Sequence, residues 1–277
     1  MELYINPTDG LCNRLRALGC AMWISDLSDR DLILGWKKWN GCNADFNQLF
    51  ISEFETRNDW KIVSNGNCLK NKYIDLEDPT KKLEIKTNHV FSYKGGPEIW
   101  TKEMWFHVSP YIQSITPISE IQEAVDEFAE KNNIKDVFGV HVRRTDNPNS
   151  KKYSKIELFF EELDKISSRF FLCSDCKKTK DAFRERYKDR CITFKHPTRE
   201  LPNNRSTVRG MKLALCELLL LSKTINIIGS VWSSYGTMAA VLGGNGIKRV
   251  STTHDPSKKI FRDQGFRKWN GEDHPWE

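Results

Sequence analysis

At 277 residues, 39% of them hydrophobic and 29% charged, the chain has the balance of a folded protein large enough for two domains, which excludes a disordered or fibrous class. No apolar run approaches the about 18 residues of a membrane span, and the opening MELYINPTDG lacks the basic-then-apolar pattern of a secretory signal, so a cytoplasmic protein is expected. The formal charge of +6 fits an anionic partner, and nucleotides, anionic sugars and nucleic acids all satisfy it.

In chain order, residues 2–6 (ELYIN) read as a brief strand and PTDG as a turn. Residues 13–26 read as a helix with Leu15, Leu18, Ala21 and Met22 on one stripe. Strand, loop and helix form a βα unit whose helix N-terminus offers free backbone N–H groups to an anion or a sugar. Arg14 and Arg16, placed in the first turn of that helix, oppose its dipole, so they are either paired with a local anion or solvated. Residues 32–36 are the next strand, and Asp45, Phe46, Leu49 and Phe50 suit a helical turn packed on the sheet. Residues 51–117 show no clear period and read as short strands and loops; Trp100 and Trp105 there are either core residues or sugar-stacking surfaces.

A second βα series follows a boundary near residues 116–119, dividing the chain into domains 1–117 and 118–277. Helix 119–132 carries Ile121, Val125, Phe128 and Ala129 on one stripe. Strand 137–142, helix 156–166, strand 169–173, helix 177–187, strand 191–194, helix 206–222, strand 225–228 and helix 237–242, closed by Gly243 and Gly244, complete the series. Strands alternating with helices argue a parallel, doubly wound α/β sheet. The eight cysteines are scattered and read as reduced thiols; Cys173 and Cys176 form a CxxC without a second pair at zinc spacing, so no metal is expected.

Three loops follow strands of this half: RRTD at 143–146, Ser174 with Asp175, and SVWSSYGT at 230–237. All three open at the carboxyl edge of one sheet, where open α/β folds bind ligands. A guanidinium matches phosphate oxygens, so Arg143 and Arg144 read either as diphosphate ligands or as one solvated charge and one structural ion pair. Ser233, Ser234 and Gly236, just before a helix, offer donors to phosphate, and Asp175 or Glu217 offers an acceptor to a base or ribose hydroxyl.

These residues carry a resemblance. GLCNRLRAL at 10–18 resembles the N-terminal loop-helix of fucosyltransferase-like glycosyltransferases, and GVHVRRTD at 139–146 is similar to the GDP-fucose-binding motif of α1,6- and nodulation fucosyltransferases. LCSD, NNRSTVRGMKLALCELLLLS and SVWSSYGTMAAVL extend the match in order and spacing. The resemblance implies a GT-B architecture of two Rossmann-like domains facing across a cleft, with the C-terminal one holding a GDP- or UDP-linked sugar and no metal or other cofactor. It places Arg143 on the diphosphate with His141 beside it, Asp175 and Glu217 near base and ribose, and Ser233 and Ser234 near phosphate, with Ser174 and Arg209 also in the donor-binding set. Gly10, Asn13 and Arg14 complete the donor set from the N-terminal loop. The activity implied is an inverting transfer of fucose or another monosaccharide to a glycan hydroxyl.

An inverting transfer needs a base within reach of the acceptor hydroxyl. The α1,6 enzymes carry a glutamate after the motif that is proposed for this role, whereas NPNSKK at 147–152 supplies none. Asp146 and Asp9 are the candidates, Asp75 an outside choice, and loop capping is the competing reading of each. A non-catalytic carbohydrate- or nucleotide-binding module is the alternative function. Nucleic-acid binding has the charge and interleaved aromatics in its favour, but no recognition motif or basic stripe is present. A P-loop and a GxGxxG fingerprint are both absent.

Overall fold

The computed structural model describes residues 2–57, 89–93, 102–194 and 205–252. The chain divides into two compact units, Met1–Ile118 with Arg205–Met211, and Ser119–Asn204 with Lys212–Glu277. Segment Arg205–Met211, expected in the second domain, thus belongs with the first unit; there the Arg205 and Ser206 carbonyls accept from the Asn43 backbone N–H and side-chain amide at 2.9 and 2.5 Å.

The first unit is built on a parallel sheet of order β3-β2-β1-β4, with β1 Glu2–Pro7, β2 Asp31–Gly35, β3 Glu55–Arg57 and β4 His89–Tyr93. Helix α1, Leu11–Ser28, connects β1 to β2. It starts two residues before the expected position, so Arg14 ends its first turn and Arg16 lies beyond it. Helix α2, Lys102–Ser114, occupies a stretch without a legible period. Pro110 inside it reads as a breaker, yet Val108 and Ile112, four apart, are buried and set the helical face.

The second unit carries five parallel strands in the order β7-β6-β5-β8-β9: β5 Phe138–Val142, β6 Phe170–Ser174, β7 Cys191–Ile192, β8 Asn226–Ser230 and β9 Gly246–Val250. Among these, β9 has no apolar signature: Lys248 and Arg249 lie within this edge strand, where charge is tolerated. The helices are α3 Ser119–Asn132, α4 Pro148–Tyr153, α5 Ile156–Asp164, α6 Lys177–Tyr187, α7 Val208–Ser222 and α8 Ser234–Gly243. On one face of the sheet Val140, Val142, Phe170, Leu172 and Ile228 pack with Phe159 and Leu163 of α5 and Phe183 and Tyr187 of α6. On the other, a Cβ at Gly139 would stand 2.6 Å from Leu221 Cδ1, so only glycine lets α7 settle this close to β5.

Numbered within its own unit, the sheet reads 3-2-1-4-5, the doubly wound order. The order reverses between β5 and β8, whose connections leave on opposite sides and open a crevice at the carboxyl ends. Register pairs Val142 with Ser174 and His141 with Gly229, so the ends of β6, β5 and β8 stand level.

Candidate functional site

The three strand-end loops meet at this edge. The Arg143 backbone N–H donates to Ser230 Oγ at 3.0 Å, which joins the ends of β5 and β8 across the reversal point. Asp175, past β6, accepts from the backbone N–H of Arg144 at 2.7 Å and from the Thr145 hydroxyl at 2.6 Å, and it pairs with Arg143 Nη1 at 3.0 Å. Asp146 pairs with Arg143 Nη2 from within the same loop. One guanidinium is therefore held between two carboxylates, of which Asp175 is 12% exposed and Asp146 51%. Arg144 leaves the site: its Nη1 donates to the carbonyls of Lys151 and Ser154 at the end of α4, where a cation also suits the helix dipole.

His141 precedes this loop in β5 and is buried, its ring stacked on Tyr235 with centroids 4.9 Å apart. Burial lowers its pKa to about 4, with Arg143 acting in the same direction and Asp175 against it, so the ring is neutral near pH 7. Its Nδ1 is buried without a hydrogen-bond partner and faces the first turn of α8, where a Cβ at Gly236 would stand 3.5 Å away. Tyr235 was not singled out in the sequence; its hydroxyl donates to the Ala214 carbonyl at 2.6 Å and ties α8 to α7. Ser233 caps α8 in extended conformation and Ser234 begins the helix, leaving its first N–H groups at the carboxyl edge of β8.

The segment NPNSKK, which lacks a carboxylate, has a structural task. Asn147 caps α4 by accepting the Ser150 N–H at 3.0 Å, with Pro148 at the first helical position. Its amide donates to the Trp232 carbonyl at 2.7 Å, and the Ser150 hydroxyl donates to the Val231 carbonyl at 2.6 Å. Ser154 accepts the Val231 N–H at 2.9 Å and donates to the Val250 carbonyl at 2.6 Å. These side chains hold Trp232 at φ 58, the left-handed region, which a bulky residue occupies only when its surroundings impose it.

Other expected donor ligands have partners within the chain. The Ser174 hydroxyl donates to the Val142 carbonyl at 2.8 Å, bridging β6 to β5. Glu217 is buried in α7 with its carboxylate 2.5 Å from Lys180 Nζ, the pairing a buried acid requires. Arg209 lies in the first turn of α7 and belongs with the first unit.

In the first unit Gly10 is the N-cap of α1, and Asn13 Oδ1 accepts from Arg16 Nη2 at 3.1 Å. Arg14 is buried over the Trp36 ring, its Nε donating to the Asp9 carbonyl at 3.0 Å and its Nη2 to the Lys37 carbonyl at 2.8 Å. Burial lowers its pKa, opposed by Cys42 and Asp9, and Nη1 is buried without a hydrogen-bond partner. Arg14 thus ties two loops together instead of standing in solvent. Asp9 adopts φ 66 in the loop after β1. Asp75, Trp100 and the Trp105 side chain lie outside the described residues. Among the described residues no group of three or more His, Cys, Asp or Glu side chains is placed to hold a metal ion, and no helix is long and apolar enough to cross a membrane.

No family model and no curated protein matches this chain. Solved structures do. NodZ α1,6-fucosyltransferase soaked with GDP-fucose is similar at a TM-score of 0.59 and 16% identity over 89% of this chain and 93% of that one, and fucosyltransferase NodZ from Bradyrhizobium at 0.57 and 16% over 89% and 94%. A variant of Arabidopsis thaliana FUT1 in complex with GDP aligns at 0.60 and 15% identity, covering 92% of this chain and 71% of that one. POFUT1 in complex with GDP-fucose aligns at 0.56 and 12% identity over 87% and 94%. The likeness is one of fold: the chain has the fucosyltransferase-like GT-B fold that its motifs imply.

Proposed function

We propose that this fold carries a glycosyltransferase whose donor, a nucleoside-diphosphate sugar, binds at the carboxyl edge of the second unit's sheet. The single observation carrying the reading is Arg143, set at the β5–β8 reversal, where its backbone N–H bonds the end of β8, the strand that leads into α8. Guanidinium and helix N–H groups are the two devices by which a protein neutralises a diphosphate. Solved structures of this fold hold GDP or GDP-fucose, which favours a nucleotide-linked fucose or related monosaccharide here.

The transfer proposed is inverting and needs no metal. A carboxylate takes the proton of a glycan hydroxyl, that oxygen bonds to the anomeric carbon, and the bond from that carbon to the diphosphate oxygen breaks with its electron pair. Arg143 and the first N–H groups of α8 then face the negative charge that develops on the departing diphosphate, where preorganised donors act most strongly. Asp146 and Asp9 remain the candidate bases.

A thermal-shift panel of GDP, UDP and their sugars tests the donor, since a ligand of the folded state raises stability with concentration. Arg143→Ala is expected to abolish the shift while circular dichroism stays unchanged, and an equal shift in the variant removes Arg143 from the site. The commitment of Asp146 to an ion pair favours one second reading, a binding module without turnover. Sugar transfer or donor hydrolysis from the same panel excludes it.

A further inference from the structure

We propose that Trp39 and Asp9 form a pyranose-binding subsite in the first unit, the indole stacking on a sugar face and the Asp9 carboxylate accepting a sugar hydroxyl. Assigning that sugar to the acceptor rests on the glycosyltransferase reading above; the subsite itself does not.

Trp23 and Trp36 are core residues at 3% and 0% exposure, whereas Trp39, three positions on, is 47% exposed. A lone exposed apolar side chain needs no explanation. What distinguishes Trp39 is how firmly it is held. It closes a tight turn in which Trp39 and Cys42 exchange backbone hydrogen bonds of 3.3 and 2.9 Å around Asn40 and Gly41. The ring packs on that turn so closely that a Cβ at Gly41 would stand 2.7 Å from its Cε2. Its Nε1 donates to the Asp9 carbonyl at 2.9 Å.

That same carbonyl accepts from the buried Arg14, which reaches across to the Lys37 carbonyl two residues before Trp39. Arg14 therefore fixes both loops from behind, and Asp9 is retained in the left-handed region at φ 66. The indole donor is satisfied and its orientation is set before any ligand arrives, which removes the ordering cost that usually weakens small-ligand binding.

The chemistry fits a sugar. A pyranose presents a patch of polarised C–H groups on one face and hydroxyls around its rim, so it is matched by a fixed aromatic surface with an oxygen acceptor at the edge. Asp9, half-buried and held to the indole through its carbonyl, is the carboxylate nearest in the loop, and the exposed Asn40 at the tip of the turn supplies an amide.

The full chain is tested by saturation-transfer NMR with methyl β-glucoside, methyl β-galactoside and methyl N-acetyl-β-glucosaminide, with glycerol as the polyol lacking a stackable face. Transfer to ring C–H protons of at least one pyranoside and none to glycerol is expected. Trp39→Ala is expected to weaken that pyranoside about tenfold, Trp39→Phe to retain most of the binding, and Gly41→Ala, which displaces the ring, to resemble the alanine variant. The proposal is overturned if no pyranoside gives transfer, if Trp39→Ala leaves it unchanged, or if Trp39→Ala instead removes binding of GDP and UDP. Calorimetry with GDP and UDP on the wild type is run alongside. Failure of both nucleotides to bind counts against the donor reading and leaves the pyranoside result to be judged by itself.

Discussion

Arg143 is the residue on which the donor reading turns, and it is already occupied. Asp175 is fixed by the backbone of Arg144 and by Thr145, so the partner that an incoming diphosphate displaces is the more exposed Asp146. Asp146→Asn is therefore expected to tighten nucleotide-diphosphate binding by about twofold to fivefold, the range of an exposed ion pair, while turnover falls if Asp146 is the base. Weaker binding in calorimetry would falsify displacement and show that Asp146 orients Arg143 instead. His141 makes a second residue-level prediction. Its folded pKa near 4 lies below the ordinary 6.5, so between these values the unfolded chain binds a proton that the folded chain refuses. The associated stability is complete above about pH 6.5 and is lost as pH falls toward 4, by at most about 1.4 kcal/mol per pH unit. Comparing urea midpoints at pH 7 and pH 5 in wild type and His141→Phe checks this: the variant is expected to lose the part of the pH dependence that His141 supplies.

At the level of elements, α4 shows how a segment lacking reactive groups still shapes a site. Ser154 is fully buried and satisfies both the Val231 N–H and the Val250 carbonyl, so it links the loop before α8 to edge strand β9. Ser154→Ala leaves both groups unpaired in the interior, and a loss of about 1–3 kcal/mol in chemical denaturation is expected. A change within error would mean that water replaces the hydroxyl. The start of α4 is legible locally, as an asparagine cap followed by proline, but its partners lie 77 to 96 residues away and no local pattern announces them. The same contrast holds elsewhere. Strands β5, β6 and β8 are mostly apolar, and the polar residues that follow them mark the site in advance. Helix α2 is hidden by Pro110, and β9 by charges that an edge strand can carry. The sequence offers Arg14 and Glu217 as ligands, and it does not show the partners within the chain that each of them has. Carbonyls 5 and 23 residues away accept from the first, and a lysine 37 residues away pairs with the second.

Across the whole molecule one topology occurs twice. Strand order 3-2-1-4 recurs in both sheets, with a fifth strand added in the second, although no repeat is visible in the sequence. The recurrence has a physical source: right-handed crossovers from a first strand allow the sheet to grow outward in both directions, and each reversal opens a crevice at the carboxyl edge. Each sheet therefore has one edge suited to a ligand, and the side chains there differ in kind. The second sheet offers a guanidinium, a helix N-terminus and level strand ends, which suit phosphate. The loops after β1 and β2 offer an anchored indole and a carboxylate, which suit a neutral sugar rim. Hydrogen exchange of the intact chain separates the two. A saturating nucleoside diphosphate is expected to slow amide exchange at residues 143–147 and 231–236 and to leave 37–42 unchanged. A pyranoside that gives NMR transfer is expected to protect residues 9–13 and 37–42 and not 231–236. Nucleotide protection confined to 37–42 would mean that the phosphate-binding edge has been assigned to the wrong sheet, since side-chain chemistry alone distinguishes these two edges of like topology.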